Sequence, residues 1–158
     1  MEYLDIKNNE TPEICSKCKG YCCKSCAGIY HPNDFKDIEK ELKDLKEKGL
    51  ISVDQWDGEL IVKNDDTEYY DVKFIRPRHS NISKFIDFSY GGRCIYLTEK
   101  GCSLPFEKRP YQCKMLAPIN GEFIYGCTSP FNKVEAAISW IPFQNLIQKL
   151  IEDDEYHV

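Results

Sequence analysis

Apolar residues recur at steps of three and four positions after Pro32, which is the spacing of one face of an α-helix. They are Phe35, Ile38, Leu42 and Leu45. Pro32 suits the first position of a helix, and Asn33 and Asp34 place polar groups in its first turn. The sequence therefore predicts one amphipathic helix that begins at Pro32, ends before Gly49 and keeps its charged face in solvent.

After Gly49 the apolar residues form short runs typical of β-strands. Three such runs cover residues 50–53, 60–62 and 69–75. Asp57 and Gly58 form the dipeptide that tight hairpin turns favour, so we expect the first two runs to pair around it. Residues 64–67 supply a further turn, and Pro77 should end the third strand because proline cannot donate to a central ladder. A small antiparallel sheet is predicted.

Turn-forming residues dominate the second half of the chain as far as Pro118. They include Gly91, Gly92, Gly101, Pro105 and Pro110. Residues 122–125 predict a short strand, and residues 133–152 have helical spacing that Pro142 should bend or split. With 158 residues the chain suits one domain. The expected fold class is α+β: a small single domain with a short antiparallel sheet, flanking helices and a cysteine-rich loop region.

Charge and hydropathy narrow the class of partner. The chain has 21 Lys and Arg against 26 Asp and Glu, a net charge of −5, which disfavours nucleic acid or an anionic membrane as the main partner.

Residues 1–10 lack a basic stretch followed by an apolar run, and no apolar stretch reaches bilayer length. We therefore expect a cytoplasmic protein with reduced thiols. A mature secreted form held by disulfides is the alternative.

Nine cysteines are the strongest chemical signal in the chain. The first group is Cys15, Cys18, Cys22, Cys23 and Cys26, and the second is Cys94, Cys102, Cys113 and Cys127. Packing does not explain the crowding of the first group, and two thiolates separated by two residues can hold one ion. In a reducing compartment this pattern indicates metal binding. We expect the two groups to converge in space, so that metal closes the fold.

The division of these cysteines between sites stays open. Neighbouring side chains point apart in extended backbone, so Cys22 and Cys23 should serve different sites. Cys26 is either a further ligand or a small buried apolar residue. The other eight cysteines would form two four-thiolate sites or one larger cluster. Thiolates suit zinc and iron–sulfur clusters alike, so the cofactor is either of these.

The order of the cysteine motifs resembles the YkgJ-type cysteine-cluster family, described as zinc- or iron-chelating domains and named for a CxxCxxCC motif. Here the motifs are Cys15-x2-Cys18-x3-Cys22-Cys23, Gly92-Arg93-Cys94, Gly101-Cys102, Arg109-Pro110-x2-Cys113 and Cys127. The resemblance covers about residues 15–127 and implies metal chelation by these eight cysteines. This chain departs from the family in the longer spacing before Cys22, in Lys114 where members often have arginine, and in the additional Cys26. Relatives named flagellin lysine N-methylases, associated with an iron–sulfur cluster, imply an enzymatic alternative.

Arginines beside the cysteines could balance the charge of a thiolate site. Four thiolates on Zn²⁺ leave about two negative charges, which a fixed guanidinium could offset while donating to sulfur from behind the ligands. Arg109 is the first candidate for this role, and Arg93 is the second. The alternative is that Arg109 is an exposed member of a charged run.

The histidines are weaker candidates. His31 and His157 are expected at the surface. His79 follows Arg76 and Arg78, and this cationic strand end either holds an anionic ligand or is simply solvated.

Three functions follow from the sequence. The first is a metal-binding protein that holds zinc or an iron–sulfur cluster. The second is an iron–sulfur enzyme that modifies a protein or a small molecule, and the third is an interaction module supported by structural zinc. No Ser-His-Asp order, phosphate loop or dinucleotide fingerprint can be assembled, so no catalytic residue is assigned. Metal ions are the expected partners, and a protein partner is left open.

Overall fold

A computed structural model describes residue 3 and residues 28–62, 67–79, 84–88, 93–99, 101–115, 117–118 and 127–155. All five cysteines of the first group lie outside these ranges, as do His157 and the strand predicted at residues 122–125. The predictions for those residues are therefore not tested by the fold.

The described residues form helices and short antiparallel strand pairs, which confirms the α+β class. The helices are α1 (Ile38–Glu47), α2 (Tyr111–Lys114), α3 (Lys133–Trp140) and α4 (Gln144–Glu155). Single 3₁₀ turns lie at Pro32–Asp34, Phe106–Lys108 and Ile141–Phe143. The strands are β1 (Ile51–Gln55), β2 (Glu59–Leu60), β3 (Tyr69–Tyr70), β4 (Lys73–Pro77), β5 (Leu97–Thr98), β6 (Gly101–Cys102), β7 (Ala117–Pro118) and β8 (Cys127–Thr128).

The centre of the fold is a long antiparallel ribbon rather than the predicted hairpin. β1 pairs with β4, from Ile51 opposite Pro77 to Gln55 opposite Lys73, and β2 pairs with β3 further along. The expected pairing of the first two strands around Asp57 and Gly58 is therefore wrong. Each of these strands pairs instead with a strand that comes after Asn64 in the chain.

Gly58 lies at a break in the ribbon and not in a hairpin turn. Gly58 has φ +86° and Asp71, on the opposite strand, has φ +50°. The Asp71 N–H donates to the Gly58 carbonyl at 3.0 Å, and the Asp71 carboxylate accepts from the Gly58 N–H at 2.7 Å. A bulge uses positive φ just as a tight turn does, so the dipeptide does not distinguish the two.

Both edges of the β1–β4 pair are covered. Residues 84–88 run parallel to β1, where the Val53 N–H donates to the Phe85 carbonyl and the Asp87 N–H donates to Val53. On the other edge, the Tyr30 N–H donates to the Ile75 carbonyl at 3.0 Å. α1 packs against β1, and α3 and α4 pack against β4. Because both of its faces are covered, β1 buries four successive residues instead of alternating buried and exposed ones.

The helix predicted from Pro32 is divided in two. Pro32–Asp34 is a separate 3₁₀ turn, and Phe35 is extended. α1 begins only after Asp37, whose carboxylate accepts from the Lys40 N–H at 3.3 Å as an N-cap. Gly49, at φ +71°, follows the end of α1 as expected.

Pro142 splits the C-terminal helix, as the sequence predicts. α3 ends at Trp140, a 3₁₀ turn follows, and α4 begins at Gln144. Trp140 is fully buried, and its indole N–H donates to the Tyr30 carbonyl at 2.7 Å. This bond joins the end of α3 to the segment that leads out of the first cysteine group.

A single cluster of buried side chains runs from Ile29 to Ile151 and includes residues of the ribbon, α1, α2, α3 and α4. No helix among the described residues has both the length and the apolar character needed to cross a bilayer.

Candidate functional site

Cys113 lies in α2, a single helical turn that the Gln112 side chain anchors. The side-chain amide oxygen of Gln112 accepts from the Ile29 N–H at 3.1 Å, and the backbone N–H of Gln112 donates to the Ile29 carbonyl at 3.3 Å. The Gln112 amide also donates to the Phe131 carbonyl at 3.1 Å. Cys113 is therefore placed by bonds to Ile29, before the ribbon, and to Phe131, just before α3.

Gly28 lies directly against the sulfur of Cys113. A Cβ atom added at Gly28 would overlap Cys113 Sγ, and the Cys113 backbone nitrogen would be 3.6 Å from it. Only glycine permits this close approach of backbone and sulfur. The contact brings the second cysteine group to a residue that follows Cys26 by two positions in the sequence.

Asp34 fixes the start of α2 from the opposite side. One of its carboxylate oxygens accepts from the His31 N–H at 2.8 Å and from the Tyr111 N–H at 2.9 Å. The other accepts from the Tyr3 hydroxyl at 2.9 Å and lies 3.8 Å from the Lys114 ammonium. Burial raises the pKa of this carboxyl, although these bonds act in the opposite direction. The sequence identified Asp34 only as an acidic residue in a helical turn.

Cys94 and Cys102 are placed by short antiparallel contacts. Cys94 is buried and forms an isolated bridge with His79, next to a bond from the Ile95 N–H to the Arg78 carbonyl. Cys102 is half-buried in β6, opposite Leu97 of β5. Burial raises the pKa of the Cys102 thiol, and the Leu104 backbone N–H, which bonds the sulfur, opposes that rise.

Tyr30 and Tyr96 interact electrostatically with these three cysteines. The side chains of Tyr30 and Tyr96 hydrogen-bond each other. Burial raises the pKa of both hydroxyls; nearby Cys94 and Cys113 raise that of Tyr30 further, and Cys94 and Cys102 raise that of Tyr96 further. Neither tyrosine has a spacing in the sequence that marks it as part of a cysteine motif.

Arg109 lies close enough to Cys113 for an electrostatic interaction. It is half-buried, its Nε donates to the Leu104 carbonyl at 3.1 Å, and its guanidinium lies 5.8 Å from the centre of the Phe106 ring. Burial lowers its pKa, and the interaction with Cys113 opposes that shift. Glu107 and Lys108, which precede it in the charged run, are exposed. Arg93 is exposed.

The prediction of a solvent-exposed cationic strand end at residues 76–79 is wrong, because Arg76 and His79 are buried. Arg76 is 2% exposed, and its guanidinium binds Asp54 at 3.0 Å and approaches Asp87 at 3.7 Å. His79 is also buried, and burial, followed by the charge of Arg76, lowers its pKa. A neutral imidazole and a paired guanidinium do not form an anion site in solvent.

His31 is buried as well, against the expectation of a surface residue. Its Nδ1 accepts from the Asn33 N–H at 2.9 Å, and its ring packs on Tyr3, Tyr111 and Phe131. The neighbours of His31 in the sequence do not distinguish a histidine that caps a turn and packs among aromatic rings from an exposed one. His31 is thus a structural residue.

The described cysteines supply soft sulfur donors of the kind that zinc and iron–sulfur clusters take. Within the ranges that the structure describes, no three His, Cys, Asp or Glu side chains are grouped closely enough to hold a metal ion. Cys127 lies in β8, where its backbone is opposite Pro118 of β7. Outside those ranges lie the predicted ligands Cys15, Cys18, Cys22 and Cys23. Cys26, whose role as a ligand is open, lies outside them as well.

No protein-family model, curated protein or solved structure matches this chain.

Proposed function

We propose that this protein binds metal, as zinc or as an iron–sulfur cluster, through Cys15, Cys18, Cys22, Cys23, Cys94, Cys102, Cys113 and Cys127. The observation that carries the proposal is the contact between Gly28 and the sulfur of Cys113. Gly28 directly follows the segment of sequence that carries the first cysteine group, and convergence of the two groups at Cys113 is therefore part of the proposal.

Two contacts in the second group act in favour of thiolate, against the burial that raises the pKa of Cys102. The Leu104 N–H donates to Cys102, and the Arg109 guanidinium interacts with Cys113. Hydrogen-bond donors and a fixed positive charge stabilise thiolate, which is the form that binds metal. A metal bound there would supply the fold with a link between the two cysteine groups.

We also propose a cytoplasmic location, with neither nucleic acid nor an anionic membrane as the main partner. A reduced thiolate site suits the cytoplasm. The net charge of −5 disfavours nucleic acid and anionic membranes as partners. Metal ions are the proposed ligands.

The test is metal and sulfide analysis of the full chain purified without oxygen, together with its absorbance spectrum. Zinc would give a colourless protein without sulfide, and an iron–sulfur cluster would give a brown one with sulfide. Cys22→Ser and Cys113→Ser should each lose metal. Cys26→Ser is the matched control, since it removes a cysteine outside the family motif, and it should keep metal.

Two results would overturn the proposal. One is a chain that contains no stoichiometric metal when prepared without oxygen. The other is a Cys113→Ser protein whose metal content equals that of the unsubstituted chain. Loss of metal from Cys26→Ser would instead add this cysteine to the ligands.

A further inference from the structure

The side chain of Gln112 bridges two segments of the chain that each follow cysteines in the sequence. Its amide oxygen accepts from the Ile29 N–H at 3.1 Å, and its amide nitrogen donates to the Phe131 carbonyl at 3.1 Å. Ile29 follows the first cysteine group, Phe131 follows Cys127 by four positions, and Gln112 itself precedes Cys113. One amide therefore joins three pieces of chain that are next to cysteines in the sequence.

Two consecutive residues of α2 meet two consecutive residues of the segment that enters the ribbon. Both backbone groups of Ile29 bond Gln112, since the Ile29 carbonyl accepts from the Gln112 N–H at 3.3 Å. The neighbouring pair, Gly28 and Cys113, is in contact through the cysteine sulfur. A shift of either segment by one residue would break all of these contacts, so they fix the register between the segments.

The segments that contain Cys113 and Cys127 are joined a second time by their backbones. β7, which follows α2, pairs with β8, which contains Cys127. The bond from Gln112 to Phe131 connects the same two segments on the far side of Cys113 and Cys127 in the sequence. Two separate connections thus hold these segments together, and neither involves a sulfur atom.

We propose that Gln112 is a positioning residue of the metal site, whose amide holds the cysteine-bearing segments in the arrangement that metal binding requires. The inference rests on the proposed metal-binding function and adds a residue that does not itself bind metal. A primary amide suits this role because it carries a donor and an acceptor in one plane and can bond two backbone segments at once. Ligands held in place in this way need less ordering when metal binds.

Gln144 offers a matched comparison, because it makes the same kind of bridge elsewhere in the fold. Its amide oxygen accepts from the Lys73 N–H at 2.9 Å. Its amide nitrogen donates to the carbonyls of Lys73 at 2.7 Å and Trp140 at 2.9 Å. Both glutamines are half-buried. Gln144 joins β4 to α3, and neither element contains a cysteine.

The experiment compares Gln112→Met with Gln144→Met and the unsubstituted full chain. Methionine is close to glutamine in length and helix propensity, so each variant loses chiefly the amide bonds. Metal affinity is measured by competition with a chelator, and the sulfur-to-metal absorption band is measured after loading with cobalt(II). Both metal-free variants should melt at a lower temperature, because each leaves backbone groups without a partner. Only Gln112→Met should also weaken metal binding, by about 10–100-fold, and change the band.

The comparison separates positioning from general stability. If Gln112→Met weakens metal binding and changes the band while Gln144→Met lowers the melting temperature and changes neither, the proposal is supported. If both variants weaken binding equally, Gln112 acts only through the stability of the fold and the proposal is wrong. If Gln112→Met keeps full affinity while Cys113→Ser loses metal, the proposal is wrong and the proposed function stands.

Two further results bear on the same inference. If the unsubstituted chain binds no metal, the proposed function and the role of Gln112 are both wrong. Where Gln112→Met does not fold, Gln112→Asn takes its place, because it keeps an amide but shortens the side chain by a methylene and cannot bridge both partners in their positions. Unchanged affinity and an unchanged band in Gln112→Asn would overturn the proposal.

Discussion

A methyl group at position 28 would occupy the space of the Cys113 sulfur. We therefore expect Gly28→Ala to lower the free energy of unfolding of the metal-free chain by about 1–3 kcal/mol, the usual cost of overpacking. In a Cys113→Ala background the nearest atoms are 3.6 and 3.7 Å away, which is ordinary contact. The cost should then fall below about 0.5 kcal/mol.

Urea unfolding of the two single variants, the double variant and the unsubstituted chain measures this coupling. Equal costs of Gly28→Ala in both backgrounds would contradict the close contact between glycine and sulfur.

The two arginines next to cysteines provide a second comparison at the residue scale. Arg109 is half-buried and interacts with Cys113, whereas Arg93 is exposed. Arg109→Ala should weaken metal retention about 10–100-fold, because it removes a positive charge near thiolate. Arg93→Ala, the control, should retain metal. Chelator competition on the full chain measures both, and equal retention in both variants would return Arg109 to a purely structural role.

Burial of His31 predicts how stability depends on pH. Its pKa falls from 6.5 to about 4, chiefly through burial. Between these values the unfolded chain takes up a proton that the folded chain does not. The contribution of His31 to the free energy of unfolding is therefore full above pH 6.5. It declines as the pH falls toward 4, with a slope of up to about 1.4 kcal/mol per pH unit.

His31→Asn provides the comparison, because asparagine can also cap a turn but does not titrate. The difference in stability between the two proteins isolates His31 from Asp34 and His79, whose pKa values also shift. A difference that stays constant between pH 7 and pH 4 would contradict the prediction.

At the scale of elements, one buried ion pair joins the strands of the ribbon. Asp54 of β1 and Arg76 of β4 lie 3.0 Å apart, and both side chains are 2% exposed. Arg76 also donates to the Asp87 carbonyl at 2.9 Å, which connects residues 84–88. Three neighbouring segments therefore depend on one guanidinium.

Removing one partner of this pair should be costly. Asp54→Ala leaves the Arg76 charge buried without its closest partner, and we expect a loss of about 3–5 kcal/mol in the free energy of unfolding. Replacing both residues by leucine should cost less than the single change, since it removes the buried guanidinium and leaves only the partly exposed Asp87 carboxylate. Denaturant unfolding measures both, and a larger loss in the double variant would contradict this account.

At the scale of the whole molecule, metal should stabilise the fold by linking distant parts of the chain. Metal that binds only the folded state adds about 4 kcal/mol when its free concentration is a thousand times Kd. For a domain of this size, each kcal/mol shifts the melting temperature by about 2–4 °C. We therefore expect the metal-free chain to melt about 8–16 °C lower. Calorimetry with and without a chelator tests this, and equal melting temperatures would show that the cysteines do not hold a structural metal.

The sequence by itself determined the features that depend on neighbouring residues. Pro142 cannot continue a helix, and the helix divides there. Gly49 adopts positive φ at low cost, and α1 ends before it. Short apolar runs and helical spacing were sufficient for the α+β class, because backbone preference and amphipathic burial act over a few residues.

Only the tertiary structure decided the features that depend on distant partners. β1 pairs with β4 rather than β2 because the ladder depends on which backbone groups meet, and the turn signal at Gly58 fits a bulge equally well. Arg76 is buried because Asp54, far away in the chain, is there to pair with it. Likewise, Gly28 meets Cys113, and Tyr30 meets Tyr96, through folding of the chain between them. The spacing of residues along a chain does not specify such contacts, since they arise from the mutual packing of elements.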